Sequence, residues 1–330
     1  MRPFDRRYVP KFIQSFVETP SVYLIMKDIT PFTLHQLAQI WIKYQQVSQE
    51  FSNAVYLDKI NSENFNNLLI VGDTHGDLNS TLRIVKPFFE GKVDSILFLG
   101  DYVDRGEQSY LNFFFLVSMS ILWPERVILL RGNHEDLELN LLFGFYEELQ
   151  NYFPINKEFQ AVLSIINAIY NLMPLVAITP KHSVCMHAGI PKSIPSLQLF
   201  DQIPKPHIGY RNISDKTLKK NLFDAFVQVR WNDPIITNLK MKDERSYHGH
   251  FYYTHDEVKQ FLELNNQKRI IRSHEDIRGG YQMVFSDVLY HIFSSEPYFG
   301  QIKKAFTIHE LTPGDITLRD LDFNMKLKIM

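Results

Sequence analysis

Five short apolar runs, each ending abruptly in a polar cluster, constrain this chain more than any other feature. They are NLLIVGDTHG from Asn67, SILFLGDYVDRG from Ser95, RVILLRGNHE from Arg126, HSVCMHAG from His182 and RIIRSHE from Arg269. Short, uninterrupted apolar runs are the pattern of strands buried on both faces. The first three are separated by segments long enough for a crossover helix, such as YLNFFFLVSMSILW between Tyr110 and Trp123. That is the βαβ pattern, whose fixed handedness puts the strand ends on one side of a sheet. Because every polar cluster follows its strand, the clusters are expected to converge at the carboxyl edge, where ligands bind in such sheets.

The last third changes character. YQMVF and VLYHIF around Ser286-Asp287 read as one hairpin, and AFTIHEL and ITLRDL around T-P-G-D as another. Thr33 stands as a cap before apolar residues at helical spacing, and N-S-E-N-F-N-N at 61–67 reads as a loop. The uncharged stretch from Phe159 to Pro180 is long enough to raise a membrane span. Gln160, Ser164, Asn167 and Asn171 form a polar stripe along it, and Pro174 breaks it, so it reads as a buried helix followed by a strand. Phe113-Phe114-Phe115 reads as helix core. The expectation is a mixed α/β fold, βαβ units first and antiparallel strands last, with an N-terminal extension. Residues 1–32 are taken as an arm, with Arg2, Arg6 and Arg7 solvated, and 33–330 as one domain.

Composition excludes several function classes. Thirty-five basic against 37 acidic side chains, a net charge of −2, supply no bulk field for polyanions, so no nucleic-acid partner is expected. The single cysteine, Cys185, excludes a disulfide framework and a multi-thiolate zinc site. With no signal-peptide pattern at the N-terminus, a cytoplasmic protein with no membrane partner is expected.

The polar clusters carry Asp73, His75, Asp101, Asn133, His187 and His274 just beyond the strand ends. Carboxylate, imidazole and amide donors suit iron, manganese, zinc or magnesium. Asp101 can bridge two ions, and two ions about 3.5–4 Å apart make a clamp for in-line displacement at phosphorus. A lone D-x-H after a strand is commonly a turn aspartate and a surface histidine; five strand-end clusters in this order are not commonplace.

G-D-T-H-G at 72–76, G-D-Y-V-D-R-G at 100–106 and R-G-N-H-E at 131–135 closely resemble the signature motifs of the PPP family of serine/threonine protein phosphatases, within the calcineurin-like metallophosphoesterase superfamily. C-M-H-A-G at 185–189, W-N-D-P at 231–234, R-S-H-E at 272–275 and S-S-E-P-Y-F-G at 294–300 look like its later motifs in order. The resemblance implies an α/β metallophosphoesterase fold, a central mixed β-sandwich flanked by helices with an N-terminal helical extension, that hydrolyses phosphoserine and phosphothreonine by direct attack of hydroxide bridging two divalent ions, with manganese suited in vitro and iron or zinc as alternatives. It implies that Asp73, His75 and Asp101 hold one ion and that Asp101, Asn133, His187 and His274 hold the other. By the same resemblance His134 is the general acid, Asp104 its partner, and Arg105, Asn133 and Tyr298 line the phosphate pocket.

The chain departs from the pattern in places. A second phosphate-binding arginine falls in D-E-R-S-Y-H-G-H, where Arg245, His248 or His250 can stand. Ala188 replaces a glycine, and Phe299 a cysteine common in that loop. Asp233 lies at a motif position where turn formation is an equal reading. His248, His250 and His255 fit no compact ligand set. Phosphoprotein substrates and regulatory subunits are the implied partners. Two other functions share these residues: a dinucleoside polyphosphate hydrolase, against which Glu135 argues, and a phosphoprotein-binding pseudophosphatase.

Overall fold

A computed structural model describes residues 32–235, 251–277, 279–285, 288–298, 301–302 and 304–329, with backbone alone for 61–63, 297–298 and 301–302. Arg245, His248, His250 and Phe299, and the arm up to residue 31, therefore lie outside the described residues, as does the Tyr298 side chain.

Among the described residues two six-stranded sheets form the centre. In the first, β2 (Asn67–Val71), β3 (Ser95–Phe98) and β4 (Val127–Leu129) run parallel. Antiparallel β14 (Phe306–Leu311), β15 (Ile316–Asp320) and β16 (Met325–Lys328) extend it beyond β2. The second has the order β1 (Ala54–Tyr56), β5 (Val176–Ile178), β6 (Ser183–Met186), β9 (Arg269–Arg272), β11 (Leu289–Ile292), β10 (Tyr281–Val284). All five apolar runs are strands, and both expected hairpins form, β10 with β11 and β14 with β15. The runs divide between the sheets, three and two.

Side-chain alternation explains the layering. Leu68, Ile70, Leu97, Leu99, Ile128 and Leu130 meet Ala177, Cys185, Ile271 and Ile292 between the sheets. Leu69, Val71, Ile96, Phe98, Val127 and Leu129 point the other way, into a helical layer. That layer holds α1 (Leu34–Ser48), α3 (Leu78–Phe89), α4 (Ser109–Leu122), α6 (Phe145–Tyr152) and α7 (Asn156–Tyr170); α2 (Leu57–Asn61) and α5 (Leu137–Phe143) are short connectors. On the outer face of the second sheet lie α8 (Lys216–Trp231) and α9 (His255–Leu264). Helix, sheet, sheet and helix thus stack in four layers, a mixed sandwich of the expected kind.

Thr33 caps α1 in a full capping box with Gln36, and α1 packs on α4 and α7. Phe32 itself is core, its ring against Tyr110 and Phe114. Phe113, Phe114 and Phe115 are all fully buried in α4, and the Phe159–Pro180 stretch is α7 followed by β5. Among the described residues no helix is long and apolar enough to cross a membrane.

Candidate active site

The carboxyl ends of β2, β3 and β4 meet those of β6 and β9 where the two sheets join. Asp73 forms a backbone bridge to Phe293, and Ser273 Oγ accepts the Asp73 N–H at 2.9 Å while donating to the Ile292 carbonyl at 2.8 Å. Side chains from opposite sheets are thereby fixed around one point, and all but the partly exposed His274 are buried.

His75 Nε2 lies 3.7 Å from both Asp73 Oδ2 and Asp101 Oδ2. On the other side of Asp101, His187 Nε2 lies 3.3 Å from its Oδ1, and the Asn133 side-chain amide lies 2.8 Å from His187 Nε2 and 3.0 Å from His274 Nδ1. The structure thus brings together all six residues read from the sequence as ligands, with Asp101 between the two groups. Ligand-capable atoms of Asp101, His187 and His274 fall within 4.8 Å of one another, as do those of His75, Asp101 and His134.

These residues fit a pair of cations on their own chemistry. His75 Nδ1 faces the Val103 carbonyl at 3.0 Å and His187 Nδ1 the Leu99 carbonyl at 3.1 Å, so each ring carries its proton there and presents an Nε2 lone pair inward. Those lone pairs face the Asp73 and Asp101 carboxylates, and Asp73 Oδ2 is buried without a hydrogen bond. Acceptors facing acceptors in a dry site are reconciled by a cation. Protonation takes up part of the strain otherwise: burial and the Asp101 charge raise Asp73 to about 6. Burial opposes a charge on His187, but Asp101 overrides it and raises that imidazole; burial holds His75 and His274 well below the ordinary range. Burial also opposes the Asp101 charge, yet His187, His134 and His75 hold its carboxyl well below the usual value.

The loops are bent to reach this arrangement. His75, Asp101, Asp104, Arg105 and His274 all have positive φ, between 39° and 82°. Left-handed backbone at a non-glycine residue costs on the order of 1–3 kcal/mol. Glu135 offsets it by accepting the N–H groups of Asp101, Tyr102 and Gly132 at 2.8, 2.9 and 2.7 Å. Gly132 is required because a Cβ there would stand 2.2 Å from Asp101 Oδ1.

His134 Nδ1 is 2.7 Å from Asp104 Oδ2, and its ring lies edge-on to His75 at 4.9 Å. Asp104 also accepts from Asn140 Nδ2 at 2.8 Å and from the Phe145 N–H at 3.2 Å. Arg105 is half-buried beside this pair; its N–H donates to the Phe143 carbonyl and its guanidinium stands 5.2 Å over the Phe143 ring. Asp233 accepts from Arg272 Nη2 at 2.9 Å and lies 3.8 Å from His274 Nε2, so it does more than shape a turn. Ala188 has no positive φ and its N–H donates to Val229; the adjacent Gly189 is the constrained position, 2.0 Å from the Tyr253 ring if given a Cβ. His255 stacks on Phe285. Asn140 and Ser109 support the site without standing out in the sequence, because they act through hydrogen bonds that only the fold makes.

Residues 67–277 match the sequence pattern of the calcineurin-like phosphoesterases. A probable serine/threonine-protein phosphatase of Encephalitozoon cuniculi is 30% identical over 244 residues, covering 73% of this chain and 49% of the relative. The chain thus spans about half the length of that curated relative. A protein serine/threonine phosphatase from Saccharomyces cerevisiae with similarity to human phosphatase PP5 superposes with a TM-score of 0.71 at 26% identity, over 90% of this chain and 88% of that one. A cold-active protein-tyrosine phosphatase of a psychrophilic Shewanella shares the fold at a TM-score of 0.55 and 16% identity, over 86% and 84% of the two chains.

Proposed function

The chain belongs to the calcineurin-like phosphoesterases, and we propose that within them it is a PPP-type, metal-dependent phosphatase of phosphoserine and phosphothreonine in proteins, supported by its similarity to serine/threonine phosphatases. The observation that carries the proposal is the buried His134–Asp104 pair standing against His75 and Asp101, a proton donor fixed beside a cation-binding floor.

Asp73, His75 and Asp101 would hold one divalent ion, and Asp101, Asn133, His187 and His274 the other. Bound there, the ions neutralise phosphoryl charge and acidify water near neutral pH. Manganese serves in vitro, with iron or zinc as alternatives. Arg105 offers a planar fork to the phosphoryl oxygens, held by its backbone bond to Phe143 and by that ring. By their motif positions, Arg245 (or His248 or His250 in its stead), Tyr298 and Asn133 are further candidates for phosphate binding.

The leaving alkoxide of serine or threonine is a poor leaving group until it takes a proton. Asp104 fixes the Nδ1–H of His134, so Nε2 is the atom that donates. General acid help of this kind contributes typically 10²–10⁴-fold. No side chain here needs to bond to phosphorus, and hydrolysis is a single displacement. Phosphoproteins are the proposed substrates, regulatory subunits the further partners that the family resemblance implies, and the cytoplasm the proposed place of action.

The test is phosphate release from a phosphoserine peptide by chelator-treated protein before and after manganese is returned. Release only with manganese, and at least 10²-fold less from Asp101→Asn, is expected. Equal release without metal overturns the reading.

A further inference from the structure

The Asp104–His134 pair is held by a carboxylate that the motifs do not include. Helix α4 begins beside the site, and Gln108 at its cap position makes no side-chain cap. Glu148, in the first turn of α6, supplies the cap from another helix. Its Oε2 accepts the Ser109 N–H at 2.9 Å and its Oε1 the Tyr110 N–H at 3.0 Å. A carboxylate facing two helix N-terminal amides is a charge-assisted arrangement reinforced by the helix dipole.

Ser109, so fixed, accepts the Asp104 N–H on its Oγ at 3.0 Å. Asp104 has φ of 70°, a conformation that needs outside support. Ser109 Oγ is also packed against Gly76, where a Cβ would lie only 2.5 Å away, so the hydroxyl has little room to move. The same first turn of α6 donates the Phe145 N–H to Asp104 Oδ1. Both ends of Asp104, backbone and carboxylate, therefore lean on α6. Burial raises the Glu148 carboxyl to about 7 against the pull of its two N–H partners, and the charge of Asp104 adds to that rise.

We propose that Glu148 is a positioning residue for the general acid, acting through Ser109 on Asp104 and thus on His134. The inference rests on the phosphatase reading above. Its signature is selectivity by leaving group. A serine alkoxide needs the proton that a well-aimed His134 delivers; a nitrophenolate departs without one. A residue that only held the fold together would affect both substrates alike.

Full-length wild type, Glu148→Gln and Ser109→Ala are compared with manganese on a phosphoserine peptide and on p-nitrophenyl phosphate. Ser109→Ala keeps both backbone N–H bonds to Glu148 and removes the hydroxyl that accepts from Asp104 and also bonds Glu148. Thermal midpoint and manganese content show that each variant is folded and loaded. The expected result is about a tenfold or greater loss of kcat on the peptide in both variants, with KM and p-nitrophenyl phosphate turnover within about twofold of wild type. Equal loss on both substrates, or none on either, overturns the proposal. Proton NMR reads the geometry independently of turnover: the low-field His134 Nδ1–H signal of the wild type should shift or broaden in Glu148→Gln, and an unchanged signal overturns the proposal. A wild type that leaves the peptide intact while this signal responds would instead overturn the phosphatase reading alone.

Discussion

Residue by residue, the site is a set of strained positions paired with acceptors that hold them. Asp101 sits at φ of 56° because Glu135 takes its N–H and that of Tyr102. An amide in place of that carboxylate has one acceptor oxygen and turns a donor toward backbone donors. Glu135→Gln should therefore weaken manganese binding by about 10–100-fold, as measured by titration calorimetry, the range for losing a group that orients ligands. Unchanged affinity would show that the bent backbone holds itself. The six residues proposed as ligands were legible as polar clusters just beyond buried strand ends, and His134 only through the resemblance of its motif. Glu148 was not legible: its partners, Ser109 and Tyr110, lie 39 and 38 positions away, and a glutamate in a first helical turn is ordinary. Asp233 was legible as a motif residue, but its bond to Arg272 exists only once β9 is in place.

At the scale of elements, strands were easier to read than short helices. Each apolar run of the sheets is short, buried on both faces and closed by a polar cluster, so length and pattern agree. Helices α5 and α6, of 7 and 8 residues, are too brief to show periodicity and meet at Gly144, whose φ of 105° ends one and begins the other. Yet these helices position Asn140, Phe143 and Glu148 around the acid. The division of the five runs between two sheets was equally hidden, because an apolar strand does not say which neighbour it pairs with. A buried histidine joins β14 to β2: His309 Nε2 is 2.7 Å from Asn67 Oδ1. Burial, with Arg319 adding, lowers its imidazole to about 4. A folded value below the unfolded one means that the unfolded chain binds the extra proton between roughly pH 6.5 and 4. Stability is present above that window and lost as pH falls through it. His309→Gln keeps a donor for Asn67 and should remove roughly 1–3 kcal/mol of that acid-induced loss, read from urea midpoints at pH 7 and 4.5. Parallel midpoints in both proteins would contradict this.

At the scale of the molecule, the cations would join the two sheets. Asp73, Asp101 and Asn133 follow strands of one sheet, and His187 and His274 strands of the other. Ligands that bind only the folded chain add about 2.7 kcal/mol at a hundred times their dissociation constant. Chelation should lower the thermal midpoint and manganese restore it, while Asp101→Asn should respond to neither. Equal midpoints with and without metal in the wild type would argue that the sheets are held by their apolar interface alone. The near-neutral charge and the four layers say little about chemistry by themselves. What they provide is a rigid edge where strand ends from two sheets face each other, and function lies in the residues carried there.

The most direct measurement of the account is manganese-supported phosphate release from phosphoserine and phosphothreonine peptides, run beside a dinucleoside tetraphosphate and repeated with His134→Asn. Peptide hydrolysis that falls by 10² or more in the variant, with the nucleotide left intact, is the predicted result. Hydrolysis of the nucleotide alone, or none of any substrate by protein carrying its metals, would contradict it.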